Sequence, residues 1–326
     1  MIPNQWYVIL ESKDVRPGKP VGITRLGEKM VAWRDRNGKV VIQADRCPHL
    51  SASLSQGKIT NNRIACPFHG FEYDSSGVCQ YVPALGITGT IPKALHAKTY
   101  KSYEANGLIW IWWGNSEPVP ATPWFFNELP AFTYASGRQH WPVHYSRAVE
   151  NQLDVLHLPF VHHNTIGRAN KQVVDGPVVK VEDGMLSVWM YNRLEDGIPA
   201  RKAWELSEPA VGESPMLQFI FPNIWQLLIA NDLRIFAAFI PVDDNNTLFM
   251  YRYYQRIMKM PVVKGLVNWL GVLGSRMIVN QDRRVVLEQR PSRTQLKQMG
   301  EILTQADKAL LVYRQQRDEL QNKAIN

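Results

Sequence analysis

Two short stretches, Cys47-Pro48-His49 and Cys66-Pro67-Phe68-His69-Gly70, each carry one cysteine and one histidine, with sixteen residues between them. In a chain with three cysteines and eight histidines, that spacing arises by chance with odds on the order of 10⁻⁵. One such cysteine or histidine alone reads as a buried, inert side chain. The four together read as metal ligands. Zinc also takes two cysteines and two histidines, but zinc fingers usually pair like with like, whereas here each loop carries one of each.

Loops that each supply one thiolate and one imidazole suit a binuclear centre, with both sulfurs on one iron and both rings on the other. This is the Rieske [2Fe–2S] ligand set, in which neutral imidazoles raise the reduction potential. Cys47, His49, Cys66 and His69 are therefore the candidate cluster ligands. The second ring nitrogens of the two histidines face away from such a cluster and offer electrons an exit. Around the loops, Val21 to Leu26, Met30 to Arg34, Lys39 to Ile42 and Leu108 to Trp113 are rich in β-branched and aromatic residues. They predict short strands of a small barrel or sandwich, with a tight hairpin turn at Asn37-Gly38.

Apolar residues make up 45% of the chain and charged residues 20%, which excludes a disordered protein, and 326 residues favour two domains. So few cysteines argue against a secreted disulfide framework and for a reducing cytoplasm. Met1 to Trp6 lacks the basic head and apolar core of a signal peptide. No run reaches the ~18 apolar residues of a spanning helix, so no membrane span is expected. The nearest run, Leu266 to Leu273, reads as a buried helix or a pocket wall. The formal charge is +8, yet no Lys/Arg run reaches five, and Arg201-Lys202 and Arg283-Arg284 read as solvated surface. Nucleic acid is not expected; an acidic electron-transfer partner is the one use of the charge.

Pro118, Pro120 and Pro123 suggest a domain junction. Beyond it, Met185 to Met190, Trp225 to Ala230, Ile235 to Ile240 and Leu248 to Tyr254 predict further strands. Helix is expected from about Pro261, and an amphipathic helix over Glu301 to Asn322 from Ile302, Ala306, Leu310 and Tyr313. Between these lies Asn151-Gln152-Leu153-Asp154-Val155-Leu156-His157-Leu158-Pro159-Phe160-Val161-His162-His163. Asp154 and His157 would share a helix face, and Pro159 would then break the helix and bring His162 back towards His157. Two imidazoles with one carboxylate and three open positions form the facial triad of non-haem Fe(II) oxygenases. His163 is the neighbouring competitor. Cys79 has no partner and reads as filler. Trp225, Phe236, Phe239, Phe249 and Tyr251 suit a substrate pocket or a core equally.

Taken together, these motifs resemble a Rieske non-haem iron oxygenase, terminal oxygenase α subunit, over nearly the whole chain. The family pattern N-x-x-D-x-x-H-x4-H is matched by Asn151, Asp154, His157 and His162. A late aspartate is matched by Asp282 within Asn280 to Gln289, with Glu288 as the alternative. The branch resembled is that of pheophorbide a oxygenase and the vanillate and dicamba demethylases.

The resemblance implies an α+β protein: a small all-β Rieske domain, 1–115, and a helix-grip (START-like) antiparallel-sheet catalytic domain, 116–326. It implies a mononuclear Fe(II) on His157, His162 and Asp282, and a homotrimer in which Asp154 bridges His157 to His69 of the adjacent subunit. Electrons would come from NAD(P)H through a separate ferredoxin and/or flavin reductase, with O₂ as co-substrate. The expected reaction is hydroxylation or oxidative demethylation of a small, hydrophobic or cyclic compound. The alternatives are cis-dihydroxylation, or a non-catalytic electron relay with a lipid- or pigment-binding module.

Overall fold

The computed structural model describes residues 1–323 except 118, 120, 121, 168, 211, 259 and 298. Pro118 and Pro120 of the expected junction thus lie outside the described residues. The chain forms two compact units, Asn4–Pro123 and Trp124–Asn326, the latter joined by Met1–Pro3.

The smaller unit is built from β1 (Gln5–Glu11), β2 (Val21–Arg25), β3 (Glu28–Arg34), β4 (Val40–Ala44), β5 (Lys58–Thr60), β6 (Arg63–Ala65), β7 (Glu72–Tyr73), β8 (Cys79–Tyr81), β9 (Thr99–Tyr100), β10 (Ser102–Ala105) and β11 (Leu108–Trp113). They pair antiparallel as three sheets, β1-β11-β10, β2-β3-β4-β9 and β5-β6-β7-β8. The strand expectations here hold, since β-branched and aromatic residues fill a pleated, half-buried surface. The Asn37-Gly38 turn is wider than expected. Only Gly38 has positive φ, and the Asp35 carboxylate accepts from the amides of Asn37 and Lys39. The core of this unit holds Val31, Trp33, Val41, Leu54, Ile64 and Tyr73, together with all three cysteines.

The larger unit is one seven-stranded antiparallel sheet. Its strands are β12 (Thr133–Trp141), β13 (Val173–Glu182), β14 (Met185–Arg193), β15 (Leu217–Ile220), β16 (Ile224–Ala230), β17 (Leu233–Pro241) and β18 (Thr247–Gln255), in the order β12-β18-β17-β16-β15-β14-β13. The helices are α1 (Tyr145–Leu153), α2 (Leu158–Val161), α3 (Pro261–Val286) and α4 (Lys308–Lys323). With period two, Trp225 and Leu227 of β16, Ile235 and Ala237 of β17, and Phe249 and Tyr251 of β18 project to one face, and α3 packs across β12 and β18. This is a mixed fold of small antiparallel sheets plus one large antiparallel sheet with few helices.

Three helical expectations need correction. The last helix begins at Lys308, not near Glu301, and Ile302 is 95% exposed. The Glu301 carboxylate is instead drawn to Arg147 and Arg314, and Asp307 accepts from the Thr304 amide to start a new turn. The Leu266 to Leu273 run is helical but only partly buried: Leu266, Trp269, Leu270 and Leu273 are exposed, whereas Asn268 is buried, Val272 packs on the core and Gly271 lines a cavity, so the pocket-wall half of the expectation holds. Asp154 and His157 do not share a helix face. Asp154 caps α1 in extended conformation, and Pro159 stands in the first turn of α2. Proline fits there because the first turn leaves its amides unpaired anyway, so it starts a helix instead of breaking one. Among the described residues, no helix is long and apolar enough to cross a membrane.

Candidate metal centres and cavity

The two cysteine–histidine loops have the same construction. The Cys47 amide donates to the Ala52 carbonyl and the Ser51 amide to the Cys47 carbonyl. The Cys66 amide likewise donates to Phe71 and the Gly70 amide to Cys66. Each loop therefore turns through a positive φ four residues after its cysteine, at Ser51 and at Gly70. Glycine suits the second position further, because a Cβ there would press within 3.1 Å of Pro83.

Cys47 and Cys66 are buried, whereas His49 and His69 are exposed, with ring centroids 4.9 Å apart. The amides of Phe68 and His69 point at the Cys66 sulfur, although burial pushes that thiol upward. Tyr73 Oη lies 3.2 Å from Cys47 Sγ. Burial and this neighbour hold the phenol protonated, which makes it a donor to a thiolate. Among the described residues, the ligating atoms of these four do not converge on one point as a single zinc would need. Buried sulfurs, donors aimed at them and outward rings fit a binuclear cluster. Cys79 is buried and free, with its thiol near the Tyr81 carbonyl.

In the larger unit, one group of ligand atoms does converge: those of His157, His162 and Asp282 lie within 4.8 Å of one another. Asp282 Oδ1 is 3.0 Å from His162 Nε2 and 3.5 Å from His157 Nε2. That oxygen is buried and takes no hydrogen bond. A buried carboxylate oxygen facing two imidazole nitrogens without a proton-sharing geometry is costly unless a cation joins them, so the three fit a divalent ion.

Their orientation comes from residues that spacing does not reveal. Gln281 Oε1 sits 2.8 Å from His162 Nδ1 and also accepts from Thr165 Oγ1, while its own amide donates to Asn164. With Nδ1 donating, the Nε2 lone pair is free for a metal. Gln152 Nε2 donates to Asp282 Oδ2 and to Asn151 Oδ1. Asp154 lies behind His157, Oδ2 3.6 Å from Nδ1, and its Oδ1 accepts from the Leu156 amide. Burial works against charging His157, but Asp154 and Asp282 outweigh it and hold the imidazolium above its usual range. His163 turns outward, Nδ1 near the Phe160 carbonyl, and Glu288 is exposed beyond Asp282. Neither joins the group.

A cavity of about 710 Å³ opens beside the three. Trp225, Phe249 and Tyr251 line it, whereas Phe239 is core and Phe236 packs with Phe125, Phe126 and Tyr254.

Residues 5–100 match the family described as Rieske [2Fe-2S] domain, and residues 141–323 match the Vanillate O-demethylase oxygenase C-terminal domain. The chain belongs to the Rieske non-haem iron oxygenases. It is 30% identical over 218 residues to the dicamba O-demethylase oxygenase component of Stenotrophomonas maltophilia, covering 62% of this chain and 63% of that protein. It is 31% identical over 193 residues to Protein TIC 55, chloroplastic, of Arabidopsis thaliana, covering 57% of this chain and 36% of that one. The matched stretch thus spans less than two thirds of either relative. Among solved structures, dicamba monooxygenase bound to dicamba superposes with TM-score 0.75 at 22% identity, covering 100% of this chain and 99% of that one. Pseudomonas putida CBB5 NdmB superposes with TM-score 0.79 at 22% identity, covering 99% and 92%. These share the fold.

Proposed function

We propose that this chain is the terminal component of a multicomponent monooxygenase, with iron held by His157, His162 and Asp282 and the cluster by Cys47, His49, Cys66 and His69. The observation that carries the reading is the convergence of two imidazole Nε2 atoms on a buried carboxylate oxygen that has no hydrogen-bond partner. When bound, the cluster relays single electrons and the iron offers open positions for O₂.

The chain's own residues supply the rest. Gln281 and Thr165 fix the His162 tautomer, Gln152 ties down Asp282 Oδ2 and leaves Oδ1 for the metal, and the apolar cavity keeps water from the bond to be oxidised. Asp154 acts as a bridge between centres and not as a ligand: it stands on the Nδ1 side of His157, with a side chain 27% exposed. In a homotrimer, that exposed edge accepts from His69 of a neighbouring copy, whose ring is exposed in turn. The overall balance is substrate C–H, O₂, NAD(P)H and one proton giving C–OH, water and NAD(P)⁺, with electrons arriving through a separate ferredoxin or flavin reductase. The names of the dicamba relatives favour demethylation or monooxygenation over dihydroxylation.

Two variants test the reading. His157→Ala is expected to lose the mononuclear iron and turnover while the visible spectrum of the cluster persists. Asp154→Ala is expected to keep both metals and lose coupled turnover. Full iron content in the first, or undiminished activity in the second, overturns the respective role. Labelled ¹⁸O₂ placing both atoms in one product would overturn the monooxygenase assignment.

A further inference from the structure

The cavity runs along α3 from Asp282 to Gly271, eleven residues and hence about 16 Å of helix. Its volume of about 710 Å³ lies inside the range of pockets that bury whole ligands, roughly 300–1,000 Å³. Trp225, Leu227, Ile235 and Phe249 form the sheet wall, and Gly274 and Ile278 belong to the helix wall. Among the described lining residues, the charged groups are Asp154, Asp282 and the two histidines, all at the metal end, and no lysine or arginine is present. Arg276 of the same helix lines a separate depression against Gln139 and His140 of β12. An anion in this cavity would lose its water and find no lysine or arginine along the described walls, and at the metal end the carboxylates of Asp154 and Asp282 offset the divalent charge that His157, His162 and Asp282 would hold.

Two glycines interrupt the cavity side of α3, although glycine weakens a helix. Gly271 has a packing reason: the Tyr253 ring lies 2.4 Å from where a Cβ would stand. Gly274 has none. A Cβ there would meet nothing within 4 Å, and the residue borders the cavity. Any larger side chain at 274 takes room from a ligand.

We propose that the substrate is an uncharged, predominantly apolar molecule of more than one ring, and that Gly274 sets the length the cavity accepts. The proposal rests on the oxygenase reading of this site and narrows its substrate. One-ring acids fill neither the length nor the charge pattern.

Equilibrium dialysis of the holoprotein with pyrene, pyrene-1-carboxylate and toluene tests this without reductase or turnover. Pyrene is expected to bind about tenfold or more tightly than its carboxylate. Gly274→Leu is expected to weaken pyrene by about tenfold and toluene by less than about threefold. In a second variant, Ile229→Lys places a cation on a rim residue that is 52% exposed, and is expected to improve carboxylate binding by about fivefold. Equal binding of pyrene and its carboxylate, or no gain with Ile229→Lys, overturns the charge assignment. Unchanged pyrene binding by Gly274→Leu overturns the role of Gly274. Iron analysis of the same samples reports separately on the oxygenase reading, so failure of either is distinguishable.

Discussion

Gln281 holds His162 from behind while the next residue, Asp282, meets the same ring from the front. Adjacent positions on a helix point about 100° apart, so one turn of α3 grips both sides of one imidazole. Gln281→Leu is expected to leave the fold and the cluster spectrum intact and to weaken mononuclear iron binding by about ten- to a hundredfold. Gln281→Glu, which keeps an acceptor for Nδ1, should restore it. Iron titration of the two variants decides the matter, and equal affinity in Gln281→Leu and the parent would remove the role. The cysteine and histidine ligand candidates were legible because their spacing is rare and their chemistry narrow. Gln281 was not, because it meets His162 across 119 residues of chain, and a glutamine on a polar helix has no spacing signature. Gln152 is silent for the same reason, although it stands two residues before Asp154.

At the scale of elements, α1 delivers the chain to Asp154, and both of its ends are tied down from inside the unit. Glu150 lies between Arg147 and Arg314 of α4, with both arginines also reaching Glu301. At the start of α1, His144 Nδ1 accepts from the Ser146 amide. Burial, with Arg293 and Arg317 nearby, pushes the His144 ring down to about 2 from its model-peptide value of 6.5. The unfolded chain therefore binds a proton between these limits that the folded chain refuses. The neutral cap gives its full stability above pH 6.5 and loses it as pH falls below that value.

Between pH 6.5 and 5, this amounts to about 2 kcal/mol. His144→Asn keeps a capping acceptor but cannot titrate. Urea unfolding at pH 7.5, 6 and 5 should show a shallower acid loss in the variant by about that amount, and parallel slopes would exclude His144 as the source. The strands were legible where alternation met a half-buried sheet. The hinge from α1 to α2 was not, since Pro159 carries the same letter whether it breaks one helix or opens the next, and only the unpaired amides of a first turn distinguish the two.

For the molecule as a whole, the consecutive antiparallel neighbours from β13 to β18 follow sequence order, through short connections everywhere except residues 194–216 between β14 and β15. The pairing of β12 with β18, Thr133 opposite Gln255 through Trp141 opposite Thr247, joins segments more than a hundred residues apart, and no local pattern announces it. It is this closure that sets α3 across β12 and β18 and so brings Asp282 to the histidines.

Two hydrophobic clusters of the described residues share no member: one gathers Trp33, Tyr73 and the cysteines, the other Trp141, Phe219, Phe249 and Tyr313. The candidate cluster ligands belong to the first unit and the candidate triad to the second. Loss of one metal centre should therefore leave the other loaded. In Cys66→Ser the sulfur side of the cluster is gone, and the visible bands and the cluster irons are expected to disappear. The far-ultraviolet dichroism of the large sheet and one iron per chain at His157, His162 and Asp282 should remain, with turnover abolished for want of electrons. Metal analysis beside dichroism checks this. If all iron left with the cluster while the sheet signal held, the triad would depend on the Rieske unit for its metal, and the separation of the two cores would not extend to their metal chemistry.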